Sequence, residues 1–436
     1  MLRLLGLLLL LTVAGGNALK VMTFNLWLSG REVTDGMEKI AHQIKSVNPD
    51  IVALQEVEDP YVVPNITALL GPGWSGAHHC NATYPDTGVV TRHTIIPGTY
   101  AHVDYGMSVR IQMKDTKRQV SFWSMHLEYH SYGPYAAYNK LVTDESQIMA
   151  GEAPIKSIGR VQNVVELLTS DVFANQIAKS NIIPVIVAGD FNAPSDLDWI
   201  ESNRKDHGGW VFDWPATKIL SDAAAMKDSF RELHPDPVKD PGYTWSTVNK
   251  FNKEWDYTIP EPMDRIDFIF YRGPLKPEES FPFCGNSSLT PIPHQWSNAW
   301  PSDHFAFVTD FEDLPTSEDE AEPLKSVESR FTHRAWQDIY RLSFIGSCTD
   351  NIVVEPEQQP IPGKEPPQKV DEDFPVPAPI LSPVRKNGEG EADGSKETEK
   401  EKEREEVEGL KKTGEVEEKE FKRRRRIIVK KRNSVA

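Results

Sequence analysis

The stretch that most constrains the fold runs from Val185 through Ile186, Val187, Ala188, Gly189 and Asp190 to Phe191, Asn192, Ala193 and Pro194. Its apolar and mostly β-branched start predicts a strand buried on both faces. Gly189 to Asn192 read as the turn at the strand's carboxyl end, which sets Asp190 and Asn192 at the mouth of a sheet. Two readings fit that position. Asx residues at such a junction can hydrogen-bond their own backbone, or they can form part of a functional rim.

Similar junctions recur along the chain. Leu19 to Trp27 alternates with Val21, Thr23 and Asn25 on one face and Met22, Phe24 and Leu26 on the other, so Asn25 ends a strand. Thr34 or Asp35 is placed to cap a helix with Met37, Ile40, Ala41, Ile44 and Val47 on one side, stopped by Asn48 and Pro49. The short strand Ile51 to Leu54 then delivers Gln55 and Glu56, completing a β-α-β start. Tyr61 to Thr99 is rich in Gly, Pro and His. Strands resume at Gly106 to Met113 and Gln119 to Leu127, the second with Phe122, Ser124 and His126 on one face.

After an aromatic loop from Tyr129 to Tyr135, a helix is predicted over Ser157 to Leu168 and another around Leu197, next to a Trp-rich loop with Trp199, Trp210 and Trp214. Asp264 to Tyr271 is a further strand, and Pro301 to Val308, containing Asp303 and His304, opens the last one. From residue 313 to 436 the chain turns Glu-, Lys- and Pro-rich apart from Phe331 to Val354, which reads as a short helix or as no element. Such a composition buries too little apolar surface to offset the entropy of ordering, so a disordered tail is expected. The cluster Lys422 to Arg426 with Lys430, Lys431 and Arg432 suits polyanion contact or convertase cleavage.

Residues 1–18 combine Arg3, the apolar run Leu4 to Val13 and small residues before Leu19, as a secretory signal peptide does. The expected organisation is therefore a leader over 1–18, a folded domain over 19–312 and the tail over 313–436. Asn65, Asn81 and Asn286 open glycosylation sequons, each in a loop-like context, which agrees with a secreted, extracellular protein. Three cysteines are too few for a disulfide scaffold; Cys80 and Cys284 both lie in the folded part, and their pairing stays open. A formal net charge of -17 argues against tight non-specific nucleic-acid binding, which draws on phosphate neutralisation by Lys and Arg.

Collected, the polar residues at strand ends are Asn25, Glu56, His126, Asp190, Asn192, Asp264 or Asp267, Asp303 and His304. Carboxylate and amide oxygens without cysteines suit a hard cation that shares its coordination with phosphate. The chemistry this suggests is phosphoester hydrolysis.

The ordered set Phe24-Asn25-Leu26, Gln55-Glu56, Ser124 to Leu127, Gly189 to Asn192, Asp264 to Asp267 and Ser302 to His304 resembles the endonuclease/exonuclease/phosphatase superfamily, which includes deoxyribonuclease I and the sphingomyelinases. The resemblance covers Lys20 to Glu312. It implies a four-layered α/β sandwich, two mixed β-sheets packed face to face with helices outside, and the site at one edge. It also implies Mg²⁺, with Mn²⁺ or Ca²⁺ as alternatives, held by Glu56 with Asn25 beside it and Asp303 assisting. Asp190 would activate the attacking water, and Asn192 would position phosphate and water. His304 would stabilise the charge developing on phosphorus, oriented by Asp264 or, favoured, Asp267, and His126 would bind phosphate or protonate the leaving oxygen.

The substrate stays open between a lipid headgroup or small phosphate ester, for which the aromatic loop and the Trp-rich insert offer walls, and nucleic acid, as in a secreted deoxyribonuclease I-like endonuclease. A non-catalytic polyanion-binding protein is the third reading, disfavoured by the intact Glu56, Asp190, Asn192, Asp303 and His304. No obligate protein partner is called for.

Overall fold

A computed structural model of the chain describes residues 18–79, 83–155, 157–252, 256–313 and 352–353. All of these lie in one compact unit within Met1–Gln359. The leader up to residue 17, the tail beyond 313 apart from 352–353, Cys80, Asn81 and Cys348 fall outside the described residues.

The chain opens with β1 (Ala18–Asn25), a single turn α1 (Trp27–Gly30), α2 (Gly36–Val47) and β2 (Ile51–Val57). Strands β1 and β2 run parallel, so the helical segment between them is a crossover. Ile40, Ala41 and Ile44 form the buried face of α2, and Asn48 ends it in a left-handed conformation. Asp35 occupies the N-cap position, but its side chain makes no capping hydrogen bond.

The stretch up to Thr99 holds more order than its composition announced: α3 (Val62–Leu70), β3 (Ser75–His78), β4 (Asp86–Thr91) and β5 (Thr94–Ile95). Pro64 is tolerated because it lies in the first turn of α3, where its missing N–H has no partner to lose. Asn65 therefore sits exposed on a helix and not in a loop. Next come β6 (Ala101–Val103), β7 (Gly106–Gln112), β8 (Gln119–His126), α4 (Gly133–Tyr138), α5 (Glu145–Glu152), α6 (Arg160–Thr169), α7 (Asp171–Ala178) and β9 (Val185–Asp190). Helix α6 starts later than the apolar spacing suggested because Gly159 takes an extended conformation as its N-cap.

The remaining elements are α8 (Pro215–Ala224), β10 (Lys227–Asp228), α9 (Ser229–Leu233), β11 (Asp267–Arg272), β12 (Leu275–Phe283), β13 (Ala306–Asp313) and β14 (Ile352–Val353). No helix forms around Leu197, which lies in a turn held by Ser195 and Asp198. Trp199 and Trp214, expected in an insert that offers a wall for substrate, are buried core, meeting edge to face at 5.0 Å.

Two mixed sheets result. One has the order β12-β13-β1-β2-β4-β3-β14, the other β10-β11-β9-β8-β7-β5, with β6 also paired to β7. Their facing surfaces bury Val21, Ile51, Ala53, Val89 and Phe307 against Val109, Phe122, Ile186, Ala188 and Ile269. Met22, Phe24, Val52 and Leu54 point the other way, onto α2 and α3. Val185, Val187, Trp123 and Phe268 likewise pack outward, onto α6, α7 and α8. The layers are helix, sheet, sheet, helix, and β9 is buried on both faces as its composition requires. Each such aliphatic side chain contributes about 1.5–3 kcal/mol of burial. Cys284 is a half-buried free thiol, and pairing with Cys80 involves a residue outside the described set.

Candidate active site

The register of three neighbouring strands assembles the centre of the site. β8 and β9 run parallel with His126 opposite Asp190, and β11 runs antiparallel to β9 with Asp267 opposite the same Asp190. One rung thus carries an imidazole and two carboxylates. The fourth partner, His304, comes from the segment just before β13 in the other sheet. Its Nδ1 lies 2.9 Å from Asp267 Oδ2, and its Nε2 lies 3.7 Å from Asp190 Oδ2. His126 repeats that arrangement from the opposite side, with Nδ1 2.8 Å from Asp86 Oδ1 and Nε2 3.7 Å from Asp190 Oδ2. Asp190 is therefore flanked by two imidazoles, each backed by its own carboxylate.

The turn after β9 combines local backbone hydrogen bonding with a place in the cavity wall. Asp190 Oδ1 accepts the backbone N–H of Asn192 at 2.8 Å, as an Asx turn does. Its Oδ2 is left to face the site. Asn192, with φ at 49°, donates its side-chain amide to Leu127 O at 3.0 Å. Arg160, wholly buried, donates Nε to Asn192 O at 2.6 Å, NH2 to the carbonyls of Tyr129 and His130 at 3.1 Å, and NH1 to Glu152. It ties the turn, the aromatic loop and α5 together.

On the facing sheet, a bulge in the pairing of β2 with β4 falls at Glu56, whose φ is 57°. Leu28 N–H donates to its Oε2 at 2.6 Å. Asn25 Nδ2 bridges Glu56 Oε1 at 3.1 Å and Asp190 Oδ2 at 3.0 Å, joining the two sheets' carboxylates. The amide orientation is fixed because Trp27 N–H donates to Asn25 Oδ1 at 2.9 Å. Asn25, expected beside Glu56 at the metal, here presents its NH₂ group to the carboxylates of Glu56 and Asp190 and its oxygen to Trp27 N–H.

Burial pushes Asp190 up to about 6, with the Asp267 carboxylate adding to it against the pull of His304 and His126. Burial also disfavours charge on the imidazoles, but Asp86 beside His126 and Asp267 beside His304 outweigh it, and both are pushed up to about 10. The carboxylates thus favour the protonated form of both imidazoles, and the imidazoles in turn favour the anion of Asp190. Asp303 is raised well above the carboxylate range by burial and, despite His304, by Glu56.

These residues fit a hard divalent cation. Asp303 Oδ1 is buried without a hydrogen-bond partner, close enough to Glu56 to feel its charge, and the donor set is oxygen without sulfur. Ligand atoms of Asp190, Asp267 and His304 also gather within 4.8 Å of one another. Asp267 Oδ1 is likewise buried without a hydrogen-bond partner, while its Oδ2 is taken by His304 Nδ1 at 2.9 Å.

Asp264 does not reach His304. Its carboxylate accepts Trp199 Nε1 at 3.1 Å and Tyr132 OH at 3.2 Å, and burial pushes it up to about 7. The choice of imidazole partner therefore falls to Asp267, and Asp264 serves as a buried brace. Asp86 is the residue the sequence did not disclose. It opens β4 opposite Val57 at the Glu56 bulge, in a stretch without a motif. A cavity of about 670 Å³ lies over the centre, lined by Glu56, Asp86, His126, Asp190, Asn192, Asp303 and His304 together with Tyr84, Tyr105, Tyr129, Tyr132 and Trp245.

Residues 22–304 match the Endonuclease/Exonuclease/phosphatase family. A Caenorhabditis elegans protein, Uncharacterized protein F14F9.5, is 48% identical over 295 residues, covering 68% of this chain and 91% of that one. Among solved structures, the human Nocturnin catalytic domain with bound sulfate anion is similar at 17% identity and a TM-score of 0.42, over 68% of this chain and 95% of that chain. TDP2 from Caenorhabditis elegans is similar at 20% identity and a TM-score of 0.44, over 68% and 75%. On the match across both sheets and the relative that is 48% identical over 295 residues, the chain belongs to the endonuclease/exonuclease/phosphatase family, a family of phosphoester hydrolases.

Proposed function

We propose that the protein is a secreted, divalent-metal-dependent phosphoesterase that cleaves its substrate by in-line attack of water. The observation that carries this reading is the placement of Asp190 Oδ2 at 3.7 Å from the Nε2 atoms of both His126 and His304. A general base between two proton-bearing imidazoles can take a proton from water on one side while positive charge meets the phosphoryl oxygens on the other. Glu56 and Asp303 would hold the ion, and Mg²⁺ there would supply Lewis-acid polarisation of a phosphoryl oxygen.

The chain's own residues account for the proton balance. Asp190 accepts a proton from the water whose oxygen bonds to phosphorus. As the phosphorus–oxygen bond to the leaving alcohol breaks, His126 donates a proton to that oxygen. His304, held by Asp267, keeps its charge beside the phosphoryl group, and Asn192 orients the group. Each cycle consumes one water and yields an alcohol and a phosphate product.

Turnover of bis(p-nitrophenyl) phosphate by the full chain with Mg²⁺, Mn²⁺ or Ca²⁺, and with chelator, tests this. Turnover is expected to need metal and to fall by about 10³-fold or more in Asp190→Ala and His304→Ala. Undiminished turnover in chelator or in Asp190→Ala would sink it. The sequence of residues 1–18 and the exposed Asn65 and Asn286 support secretion. Expression in cultured animal cells should place a glycosidase-sensitive product in the medium, and retention of an unglycosylated chain inside the cells would overturn that part.

A further inference from the structure

Beside Glu56 the backbone takes an unusual course. Trp27, Leu28, Ser29 and Gly30 follow one another with φ of 47°, 51°, 60° and 78°, so α1 is a left-handed turn in which only the last residue is a glycine. The first three lie in a region that contact between Cβ and the backbone disfavours for L residues. Glu56, to which the turn is bonded, has φ of 57° as well. Such conformations persist where the surroundings over-determine them, and they gather at functional sites.

The bonds of the turn show what it holds. Its own closure uses Gly30 N–H to Leu26 O at 2.6 Å and Arg31 N–H to Leu28 O at 3.2 Å. Three further hydrogen bonds leave it for the end of β2. Leu28 N–H donates to Glu56 Oε2 at 2.6 Å, Ser29 Oγ donates to Glu56 O at 3.0 Å, and the same Oγ accepts Glu58 N–H at 2.9 Å. Ser29 thereby fixes the backbone on both sides of Val57, and at 4% exposure its hydroxyl is shielded from competing water. A hydroxyl is suited to that bridge because it donates and accepts at once.

The carboxylate is gripped in the same way. Asn25 Nδ2 meets Oε1 and Leu28 N–H meets Oε2, so each Glu56 oxygen accepts one bond and keeps a further lone pair for a cation. A ligand oriented before the ion arrives loses little freedom on binding it, and affinity rises accordingly.

We infer that Ser29 is a positioning residue for the divalent cation: its hydroxyl locks the left-handed turn onto the bulge, and the locked turn aims the Glu56 carboxylate at the ion. This rests on the reading of Glu56 as a metal ligand.

Calorimetry of Mn²⁺ binding to the full chain reads the inference without turnover. Ser29→Ala removes the hydroxyl and keeps the disfavoured φ. Ser29→Gly removes the hydroxyl and also makes a φ of 60° comfortable, so it separates aiming from folding. Both variants are expected to bind Mn²⁺ about 10–100-fold more weakly than the parent. Without metal, Ser29→Gly should melt within a few degrees of the parent. Turnover of bis(p-nitrophenyl) phosphate should follow the ion, reduced in both variants at the parent's Kd and recovered to within a few-fold of the parent's kcat once Mn²⁺ saturates them. Parent-like affinity in Ser29→Gly overturns the inference. So does a metal-free Ser29→Gly that melts far below the parent, since the hydroxyl would then be holding the fold as a whole. Glu56→Gln keeps two failures apart. If it binds Mn²⁺ as the parent does, the reading of Glu56 as a ligand falls together with the inference; if it loses Mn²⁺ while Ser29→Gly does not, the inference falls alone.

Discussion

Asp190 divides its two oxygens between structure and chemistry. Oδ1 accepts the Asn192 N–H and fixes the carboxylate plane, so Oδ2 meets Asn25, His126 and His304 without rotamer freedom. The same economy separates two aspartates three positions apart. Asp267→Asn should lower kcat by about 10²–10⁴-fold, because the amide cannot sustain the charge on His304. Asp264→Asn should leave kcat within a few-fold, since its partners Trp199 and Tyr132 can still hydrogen-bond an amide. Steady-state kinetics of the two variants checks this, and the opposite ranking would reverse the assignment. Asp86→Asn should reduce kcat by about 10²-fold with a smaller change in KM, measured the same way. Most of these residues were legible in the sequence because each sits where an apolar strand begins or ends. Asp86 was not, since its position depends on the pairing of two distant strands and no local pattern records it. The orientation of the Asn25 amide was equally hidden, being decided by a single backbone N–H from Trp27.

Among the elements, the junction of α5 and α6 supports the site from behind. Glu152 is buried and pairs with Arg160 at 3.1 Å, yet burial outweighs the guanidinium and pushes its carboxyl up to about 7. A group raised in the folded state contributes stability that is complete below its unfolded value, 4.5, and lost as pH rises through about 7. Glu152→Gln removes that titration, so its melting temperature relative to the parent should climb between pH 5 and 8, by up to about 3 kcal/mol in stability. Thermal melts across that range decide it, and a parallel pair of curves would refute it. The long strands and α2 were legible because apolar periodicity and burial agree in them. Helix α3 was not, because Val62, Val63 and Ile66 are β-branched and Pro64 punctuates the start, so the packing of its buried face on the sheet decides its conformation. The Trp199 and Trp214 segment, read as a wall for substrate, instead closes a small core of its own with Phe212, which only the packing reveals.

At the scale of the molecule, two sheets meeting face to face place carboxylates from both at one edge, and a cation there should stabilise the native state alone. Chelator is expected to abolish turnover and lower the melting temperature, with both restored by Mg²⁺, the shift amounting to about 2.7 kcal/mol at a hundredfold excess over Kd. At the far end of one sheet, Ile352 and Val353 pair with Ala77 and Gly76 on β3. Ending the chain at residue 313 removes that pairing and should lower the melting temperature by a few degrees, at about 2–4 °C per kcal/mol, as calorimetry of the two chain lengths would record. The rung shared by β8, β9 and β11 has a consequence for how the protein can be followed as it matures. A chain in which β9 slips by one residue would keep its far-ultraviolet dichroism yet turn Asp190 to the opposite face. Catalysis is thus a gauge of alignment: during refolding, the lag between recovered dichroism and recovered turnover measures how long three strands search before they lock in step.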